Sequence, residues 1–275
     1  MMKIIQIEAT TLPDSWFQLV YNALEYGRNF KIDSGSFEGH SRKEFDFIIS
    51  HIKRPFERDR DGLPLIPEIP ESVKIPAPTD KDYLVQYIPY IMGALTPELL
   101  GDGVDWEPKK NESYTYGQRM TEETVEDSLY KAFMEDIAHL IFKDHRGVPQ
   151  LEGVVFDAEK ILNQIELICW TYKNQGHRNN QLVIQIAKPT DLMLLDPPCL
   201  RHIDTRIQDG ALHFFPYFRS WDLWSGYPAN LAGISVLQEF MANKIGVEQG
   251  EMICTSKGLH LYDYSVDFAK MRCMF

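Results

Sequence analysis

Apolar and polar residues alternate, or apolar residues run together, in several short segments that predict β-strands. These segments are residues 3–9, 43–52, 181–188, 203–208, 211–218 and 251–264. Asp209 and Gly210 separate two of them. An Asp-Gly pair in this position is the strongest short-range signal for a β-hairpin. We therefore expect residues 203–218 to form two paired strands joined by a tight turn.

Apolar residues recur at helical spacing in three other segments. The first helix is expected after Asp14, ends near Gly27, and has the apolar positions Phe17, Val20 and Leu24. The second is expected after Asp157, a suitable N-cap, ends at Gly176, and has the apolar positions Ile161, Ile165, Ile168 and Tyr172. The third ends at Gly246 and has the apolar positions Leu231, Ile234, Leu237 and Met241.

Residues 53–80 contain six of the sixteen prolines of the chain. Because proline interrupts both helices and central strands, we expect a long surface excursion here. Elsewhere strands and helices mix along the chain without an internal repeat. This order favours an α/β or α+β fold, in which residues 1–275 form a single domain around one large mixed β-sheet flanked by helices.

With 275 residues, 44% of them hydrophobic, the chain is long enough to bury a substantial core. Its four cysteines show no CxxC pairing, so neither a zinc cage nor a disulfide framework is predicted; they are Cys169, Cys199, Cys254 and Cys273. The N-terminal apolar run is short and is followed by Glu8 and Asp14, which excludes a signal peptide or a membrane span. We expect a cytoplasmic protein with reduced thiols.

A formal net charge of −12 disfavours binding to nucleic acid, because such binding depends on clustered Lys and Arg residues. A small anion could still bind where a few arginines converge. Glu135 or Asp136 together with His139 has the spacing of metal ligands on a helix, but no third ligand is evident. We therefore predict no metal site.

Cys199 follows two prolines and precedes the strand-like run that begins at Leu200. An isolated cysteine is usually an inert packing residue. A catalytic thiol, by contrast, needs rigid presentation and a nearby positive charge, which favours the thiolate. The hairpin folds Arg219 back towards Cys199, so Arg219 could supply that charge. The alternative is that Arg219 only pairs with Asp222 at the surface.

Three polar residues near the C-terminal end also have two interpretations. Asn230 stands directly before the third predicted helix and would be an acceptable N-cap. Its amide also offers one donor and one acceptor, the pair that matches a uracil-like edge. His260 and Tyr262 alternate on the last predicted strand, so both face one side, either as core packing or as part of a site.

Four elements follow one another in a specific order: PPC at 197–199, Arg-Ser-x-Asp at 219–222, Gly-x-Pro-x-Asn at 226–230 and His-x-Tyr at 260–262. This order resembles the thymidylate synthase family. The segments "CLRHIDTRI", "FRSWDLWSGYPANLAG" and "SKGLHLYDY" are most similar to its short archaeal-type branch. Upstream the resemblance is thinner and rests on Arg28, Arg42, Tyr116-Gly117 and Arg178.

The resemblance implies a homodimeric methyltransferase that converts dUMP to dTMP with 5,10-methylenetetrahydrofolate, or a related reduced pterin, as carbon and hydride donor and without a metal. Cys199 would be the nucleophile that adds to C6 of the pyrimidine. Arg219 and Ser220 would hold the phosphate. Arg28 would join them, together with Arg178 of the partner subunit.

The remaining implied contacts concern the base, the ribose and the folate. Asn230 would bind the base, and His260 and Tyr262 would bind the ribose hydroxyl. Asp222 would contribute to both the substrate and the folate sides, and Tyr116 to the folate side.

The chain departs from the common family pattern at several positions. Asn179 and Asn180 follow Arg178 where common members carry a second arginine, and Leu200 and Phe218 replace a usual histidine and glutamine. The family's proton-relay glutamate has no secure match; the candidates are Asp82, Asp105 and Glu107. The chain stops thirteen residues after Tyr262, without the long tail that closes over folate in common members.

Two other functions remain open at this point. A dUMP or dCMP hydroxymethylase would share the cysteine addition but would use water in place of hydride. A non-catalytic nucleotide-binding homodimer would share only the binding residues, although such a protein has no need of a presented thiol.

Overall fold

The computed structural model describes residues 1–33, 37–92, 114–144, 155–156 and 161–275, with side chains omitted for 136–144 and 155–156. Its helices are α1 (Leu12–Tyr26), α2 (Lys81–Met92), α3 (Tyr116–Thr121), α4 (Asp127–Asp144), α5 (Gln164–Gln175), α6 (Gly226–Ile245) and α7 (Asp263–Cys273). Its strands are β1 (Ile4–Ala9), β2 (Arg28–Lys31), β3 (Ser41–Glu44), β4 (Phe47–Ile52), β5 (Glu123–Thr124), β6 (Val155–Phe156), β7 (Ile161–Leu162), β8 (Val183–Gln185), β9 (Leu200–Gln208), β10 (Ala211–Phe218), β11 (Trp221–Asp222), β12 (Glu248–Ser256) and β13 (Leu259–Tyr262).

A six-stranded sheet with the order β1-β4-β12-β10-β9-β8 forms the centre of the molecule. The β1–β4 and β10–β12 pairs are parallel, whereas the other pairs are antiparallel. The predicted large mixed sheet is therefore confirmed, as is the α+β class. Asp209 and Gly210 join β9 to β10 with φ values of 53° and 80°, the left-handed conformation that a type I′ hairpin turn requires.

Helices cover one face of this sheet. Along β10 and β12, buried residues alternate with partly exposed ones, which is the pattern of strands with one packed face. The longest covering helix is α6, whose predicted apolar positions Leu231, Ile234, Leu237 and Met241 are fully buried. It ends at Gly246, which has a φ of 88° and caps the helix as predicted.

The first helix also agrees with its prediction, apart from its start. It begins at Leu12, two residues before Asp14, because Thr11 is the N-cap residue and its hydroxyl accepts a hydrogen bond from the N–H of Asp14. It ends at Tyr26, with Gly27 as the C-cap.

Two predicted strands are each divided between the central sheet and a second, four-stranded sheet with the order β11-β13-β3-β2. The segment 43–52 overlaps the end of β3 and contains β4, and the segment 251–264 overlaps the end of β12 and contains β13. The second break is at Gly258, where a Cβ atom would lie 2.9 Å from the carbonyl oxygen of Arg219. Alternation alone cannot predict such breaks, because they depend on how two sheets meet.

The predicted start of the second helix is wrong. Helix α5 begins at Gln164, and Asn163 is its N-cap, accepting a hydrogen bond from the N–H of Glu166 over 3.1 Å. Ile161 lies in β7, which pairs with β5 and β6 in a small third sheet. Asp157 lies outside the described residues. The apolar face is otherwise as expected, since Ile165, Ile168 and Tyr172 are buried.

Residues 53–80 contain no helix and no strand beyond an isolated bridge between Arg58 and Pro64. The segment is nevertheless attached to the core. Arg58 donates hydrogen bonds to the hydroxyl of Ser235 over 3.1 Å and to the carboxylate of Glu239 over 2.7 Å. Four of its prolines are buried, namely Pro55, Pro64, Pro67 and Pro78. The excursion therefore packs against α6. Across the described residues, no helix combines the length and the apolar character needed to cross a membrane.

Candidate active site

Cys199 and Arg219 lie side by side at the open end of the β9–β10 hairpin. Cys199 directly precedes β9, Arg219 directly follows β10, and the two strands pair up to Leu200 and Phe218. The backbone N–H of Arg219 donates to the carbonyl oxygen of Cys199 over 2.9 Å. Cys199 is partly buried and stands directly before the first residue of β9. The sequence-based expectation that Arg219 folds back towards the thiol agrees with this geometry.

The side chain of Arg219 holds the segment that leads to the thiol. Its Nε donates to the carbonyl oxygen of Pro198 over 3.1 Å, and its terminal nitrogen donates to that of Pro197. It also pairs with Asp196 at 3.7 Å. The alternative that Arg219 pairs with Asp222 is therefore wrong. The guanidinium instead fixes the two prolines that present Cys199.

Asp222 has a different partner, the N-terminus of α6. Its carboxylate accepts hydrogen bonds from the backbone N–H groups of Trp224, Ser225 and Gly226 over 3.0–3.1 Å. Burial raises the pKa of Asp222, and the three N–H groups partly offset that rise because they stabilise the carboxylate. Asp222 thus serves as the cap of α6, since the side chain of the N-cap residue Ser225 makes no capping bond.

Asn230 is not a helix cap, because α6 already begins at Gly226. Its side-chain oxygen accepts a hydrogen bond from the indole Nε1 of Trp221 over 2.8 Å, and its amide nitrogen donates to the hydroxyl of Tyr87. These partners come from β11 and α2, two elements distant in sequence. The capping interpretation is therefore wrong, and the amide, which is partly exposed, keeps one donor and one acceptor position open.

His260 and Tyr262 lie on β13, with ring centroids 4.5 Å apart. His260 is 1% exposed, and its Nδ1 is 2.8 Å from the carbonyl oxygen of Gly258, which can only accept. Burial lowers the pKa of His260 to about 4, so the ring is neutral and its Nε2 is an acceptor. Among the described residues, this Nε2 has no hydrogen-bond partner.

Tyr262 and Tyr116 both lie close to the thiol. Burial raises the pKa of Tyr262, and the charges of Asp222 and Cys199 add to that rise. Burial likewise raises the pKa of Tyr116, again with a contribution from Cys199. The hydroxyl of Tyr116 accepts a hydrogen bond from the N–H of Leu200 over 3.3 Å. Two tyrosines therefore flank the residue that the motif order singled out.

A family model described as thymidylate synthase matches residues 106–274, which include the hairpin, β11, α6 and β13. This span is more than half of the 275 residues. The chain belongs to the thymidylate synthase family.

Several members of the family are similar to this chain. A provisionally named thymidylate synthase of Methanothermobacter thermautotrophicus is 23% identical over 263 residues, which cover 94% of this chain and 93% of that protein. A thymidylate synthase of Listeria monocytogenes is 28% identical over 176 residues, covering 58% of this chain and 55% of that protein. A provisionally named thymidylate synthase of Methanosarcina barkeri is 30% identical over 109 residues, covering 40% of this chain and 50% of that protein. The chain thus spans about half the length of this last relative.

The four predicted phosphate ligands have different surroundings in this thymidylate synthase family member. Ser220 is partly buried and lies between Arg219 and β11 in the chain. Arg28, on the outer strand β2, instead pairs with Asp46 at 2.7 Å and donates to the carbonyl oxygen of Met1. Arg178 is exposed in the segment after α5. The roles of Arg28 and Arg178 stay predictions.

The sequence interpretation missed two residues of the candidate site. Tyr87 and Trp221 hold the amide of Asn230, although neither was singled out. Trp221 stands inside the Arg-Ser-x-Asp motif, and Tyr87 is part of a helical row with Tyr83 and Tyr90. The signals were therefore present, but an aromatic residue in a motif or on a helix face normally indicates packing alone.

The described part of the structure gives no support for a role of the candidate carboxylates in proton relay or metal binding. Asp82 is exposed in the first turn of α2, and Asp105 and Glu107 lie outside the described residues. No group of three His, Cys, Asp or Glu residues within the described ranges could hold a metal ion. The side chains of Asp136 and His139 lie outside the described ones.

Proposed function

We propose that the chain is a thymidylate synthase that methylates dUMP to dTMP with 5,10-methylenetetrahydrofolate as carbon and hydride donor. The observation that carries this proposal is the placement of Cys199 against Arg219, with the thiol presented by a rigid hairpin end. The family membership supports the same reaction.

The first chemical step is addition of the Cys199 thiolate to C6 of the pyrimidine. The C5=C6 electron pair moves to C5, which then forms a bond to the methylene carbon of the folate. One methylene–nitrogen bond of the folate breaks as C5 attacks, and loss of the C5 proton expels the second folate nitrogen and leaves an exocyclic methylene on the base. Hydride transfer from the released tetrahydrofolate to this methylene, with departure of the thiolate from C6, gives dTMP, dihydrofolate and the free enzyme. Such covalent catalysis replaces one difficult step with several easier ones.

Binding of the nucleotide phosphate requires several positive charges. The backbone of Arg219 contacts that of Cys199, and Ser220 follows Arg219 directly. In our proposal the guanidinium of Arg219 exchanges its proline carbonyl contacts for phosphate oxygens, which are stronger acceptors. In our proposal Arg28 and Arg178 of the partner subunit join them. Multiple guanidinium groups suit a dianionic phosphate because each forms directional, charge-assisted hydrogen bonds.

The ribose contact is supported by the buried imidazole of His260. An acceptor nitrogen that is buried without a partner costs free energy, and a ligand hydroxyl that donates to it recovers that cost. His260 Nε2 is such an acceptor within the described structure. In our proposal the ribose hydroxyl donates to His260 and contacts Tyr262, while Asn230 binds the base. Asp222 and Tyr116 contribute on the folate side.

A homodimer is supported by the second face of the central sheet. The residues of that face are only partly buried, and several are apolar or aromatic, namely Ile49, Phe215, Tyr217 and Ile253. A sheet of six strands with one face packed by helices normally buries such residues against another layer. A second copy of this chain would supply that layer, as the family resemblance implies.

The proposal is tested by incubating the protein with dUMP and methylenetetrahydrofolate and determining the mass of the nucleotide product. We expect dTMP, formed together with dihydrofolate. A hydroxymethylated nucleotide would replace the proposal with the hydroxymethylase alternative. Binding of dUMP without any product would favour the non-catalytic binder.

A further inference from the structure

The amide of Asn230 is held at both of its ends. Its oxygen accepts from the indole N–H of Trp221 over 2.8 Å, and its nitrogen donates to the hydroxyl of Tyr87. An amide oxygen has two lone pairs and an amide nitrogen has two hydrogens, so one acceptor and one donor position stay open. Because Asn230 is only partly buried, a ligand can reach these positions.

Trp221 and Tyr87 differ in the hydrogen bonds that they can make with the amide. An indole N–H can only donate, whereas a tyrosine hydroxyl can donate or accept. If the amide turned by 180°, its NH₂ group would face the indole N–H of Trp221, and a buried donor would lose its acceptor. The donor-only indole of Trp221 therefore determines the orientation of the amide.

The indole has little freedom to move away from this contact. Trp221 is 2% exposed and stacks on Phe218, with ring centroids 3.8 Å apart and planes 5° from parallel. Its other neighbour is the ring of Tyr227, at 4.5 Å. The position of the N–H donor is thus set by aromatic packing on two sides.

We propose that Trp221 is a specificity-determining positioning residue, which fixes the Asn230 amide in the orientation that accepts uracil and rejects cytosine. Uracil presents an N3–H donor and an O4 acceptor, which match the open acceptor of Oδ1 and the open donor of Nδ2. Cytosine presents an N3 acceptor and an amino donor, which match only the turned amide. This inference rests on the proposed function, in which Asn230 binds the base of dUMP.

The test compares kcat/KM for dUMP and dCMP in the wild type and in Trp221→Phe. Phenylalanine keeps an aromatic ring in the stack but lacks the N–H donor, so the amide can turn. We expect the preference for dUMP to fall by about 10- to 100-fold, which is the effect of one mismatched buried polar pair. The change should lie mainly in the KM values, because Cys199 and Arg219 are themselves unaltered.

Two further variants distinguish positioning from general loss of packing. Trp224→Phe is the matched control, since Trp224 is equally buried, lies three positions further along the chain and packs on Trp16 with ring centroids 5.1 Å apart. It should leave the dUMP to dCMP ratio unchanged. Tyr87→Phe should lower kcat/KM for dUMP without favouring dCMP, because the indole N–H of Trp221 still holds the amide oxygen in that variant.

An unchanged ratio in a folded Trp221→Phe protein overturns the inference while the proposed function stands. If circular dichroism shows that this variant does not fold, benzothienylalanine at position 221 keeps the indole shape without the N–H, and the same fall in preference is expected. A wild-type protein that neither binds nor converts dUMP overturns the proposed function, and this inference with it.

Discussion

The backbone N–H of Arg219 donates to the carbonyl oxygen of Cys199 over 2.9 Å, although twenty residues separate the two along the chain. The side chain of Arg219 then turns back onto the carbonyl oxygens of Pro197 and Pro198. One residue thus closes the hairpin end and holds the segment before the thiol. In the absence of a substrate, Arg219 therefore holds the backbone segment that carries Cys199.

Cys199→Ala should abolish turnover yet leave the affinity for dUMP within about tenfold of the wild type. The thiol forms a bond only along the reaction path, whereas phosphate and base contacts hold the bound nucleotide. Product formation and dUMP affinity, measured separately, check this. Wild-type turnover in the variant would remove Cys199 from the mechanism.

Cys169→Ala is the control for Cys199→Ala. Cys169 is 1% exposed, and burial raises its pKa to about 12, so it is an inert packing residue. Its replacement should lower the free energy of unfolding by about 1 kcal/mol and leave turnover unchanged. Urea unfolding and turnover assays measure the two effects.

Mixing an Arg178→Ala subunit with a Cys199→Ala subunit should restore activity in the heterodimer. If Arg178 reaches the partner's site, one of the two sites in the mixed dimer keeps both groups. The activity of the mixture is compared with that of each variant alone, after mass spectrometry has confirmed subunit exchange. No recovery after confirmed exchange would place Arg178 outside the neighbouring site.

Asn230→Asp should weaken the use of dUMP and, where the new carboxyl group takes up a proton, improve that of dCMP. A mismatched buried polar pair costs about 1–3 kcal/mol, so the preference should change by roughly 10- to 100-fold. The ratio of kcat/KM values for the two nucleotides measures it, with covalent addition to the base as a second readout. An unchanged ratio would mean that Asn230 does not contact the base.

His260 should make the stability of the protein depend on pH. Its pKa is about 4 in the fold against 6.5 in an unfolded chain, so between these values only the unfolded state binds the proton. The free energy of unfolding should therefore be highest above pH 6.5 and fall by up to roughly 3 kcal/mol as the pH drops to 4.

Urea unfolding at pH 7.5, 6 and 5 measures this dependence. His260→Asn should reduce the slope of the free energy of unfolding against pH, because the substituted side chain has no proton to bind. His213→Asn is a suitable control, because His213 lies on the partly exposed face of β10. An equal slope in the wild type and in His260→Asn would show that His260 does not cause the pH dependence.

Local signals along the chain predicted those features that local physics determines. The Asp209-Gly210 pair predicted the hairpin because few residues other than glycine, asparagine and aspartate tolerate the left-handed backbone of its turn. Helical spacing predicted the buried face of α6, and the order of motifs predicted the family. The informative residues of the turn and of the helix lie within a few positions of one another, whereas the family signal comes from the linear order of four motifs between residues 197 and 262.

Tertiary structure alone decided which side chains meet. The hydrogen bond between Asn230 and Tyr87 joins residues 143 positions apart, and the carboxylate of Asp222 caps α6 where the sequence suggested a partner for Arg219. The division of two predicted strands between two sheets was likewise decided by tertiary packing. Hydrogen-bond partners and strand breaks depend on how separate elements pack, and periodicity along a single element carries no information about its neighbours in space.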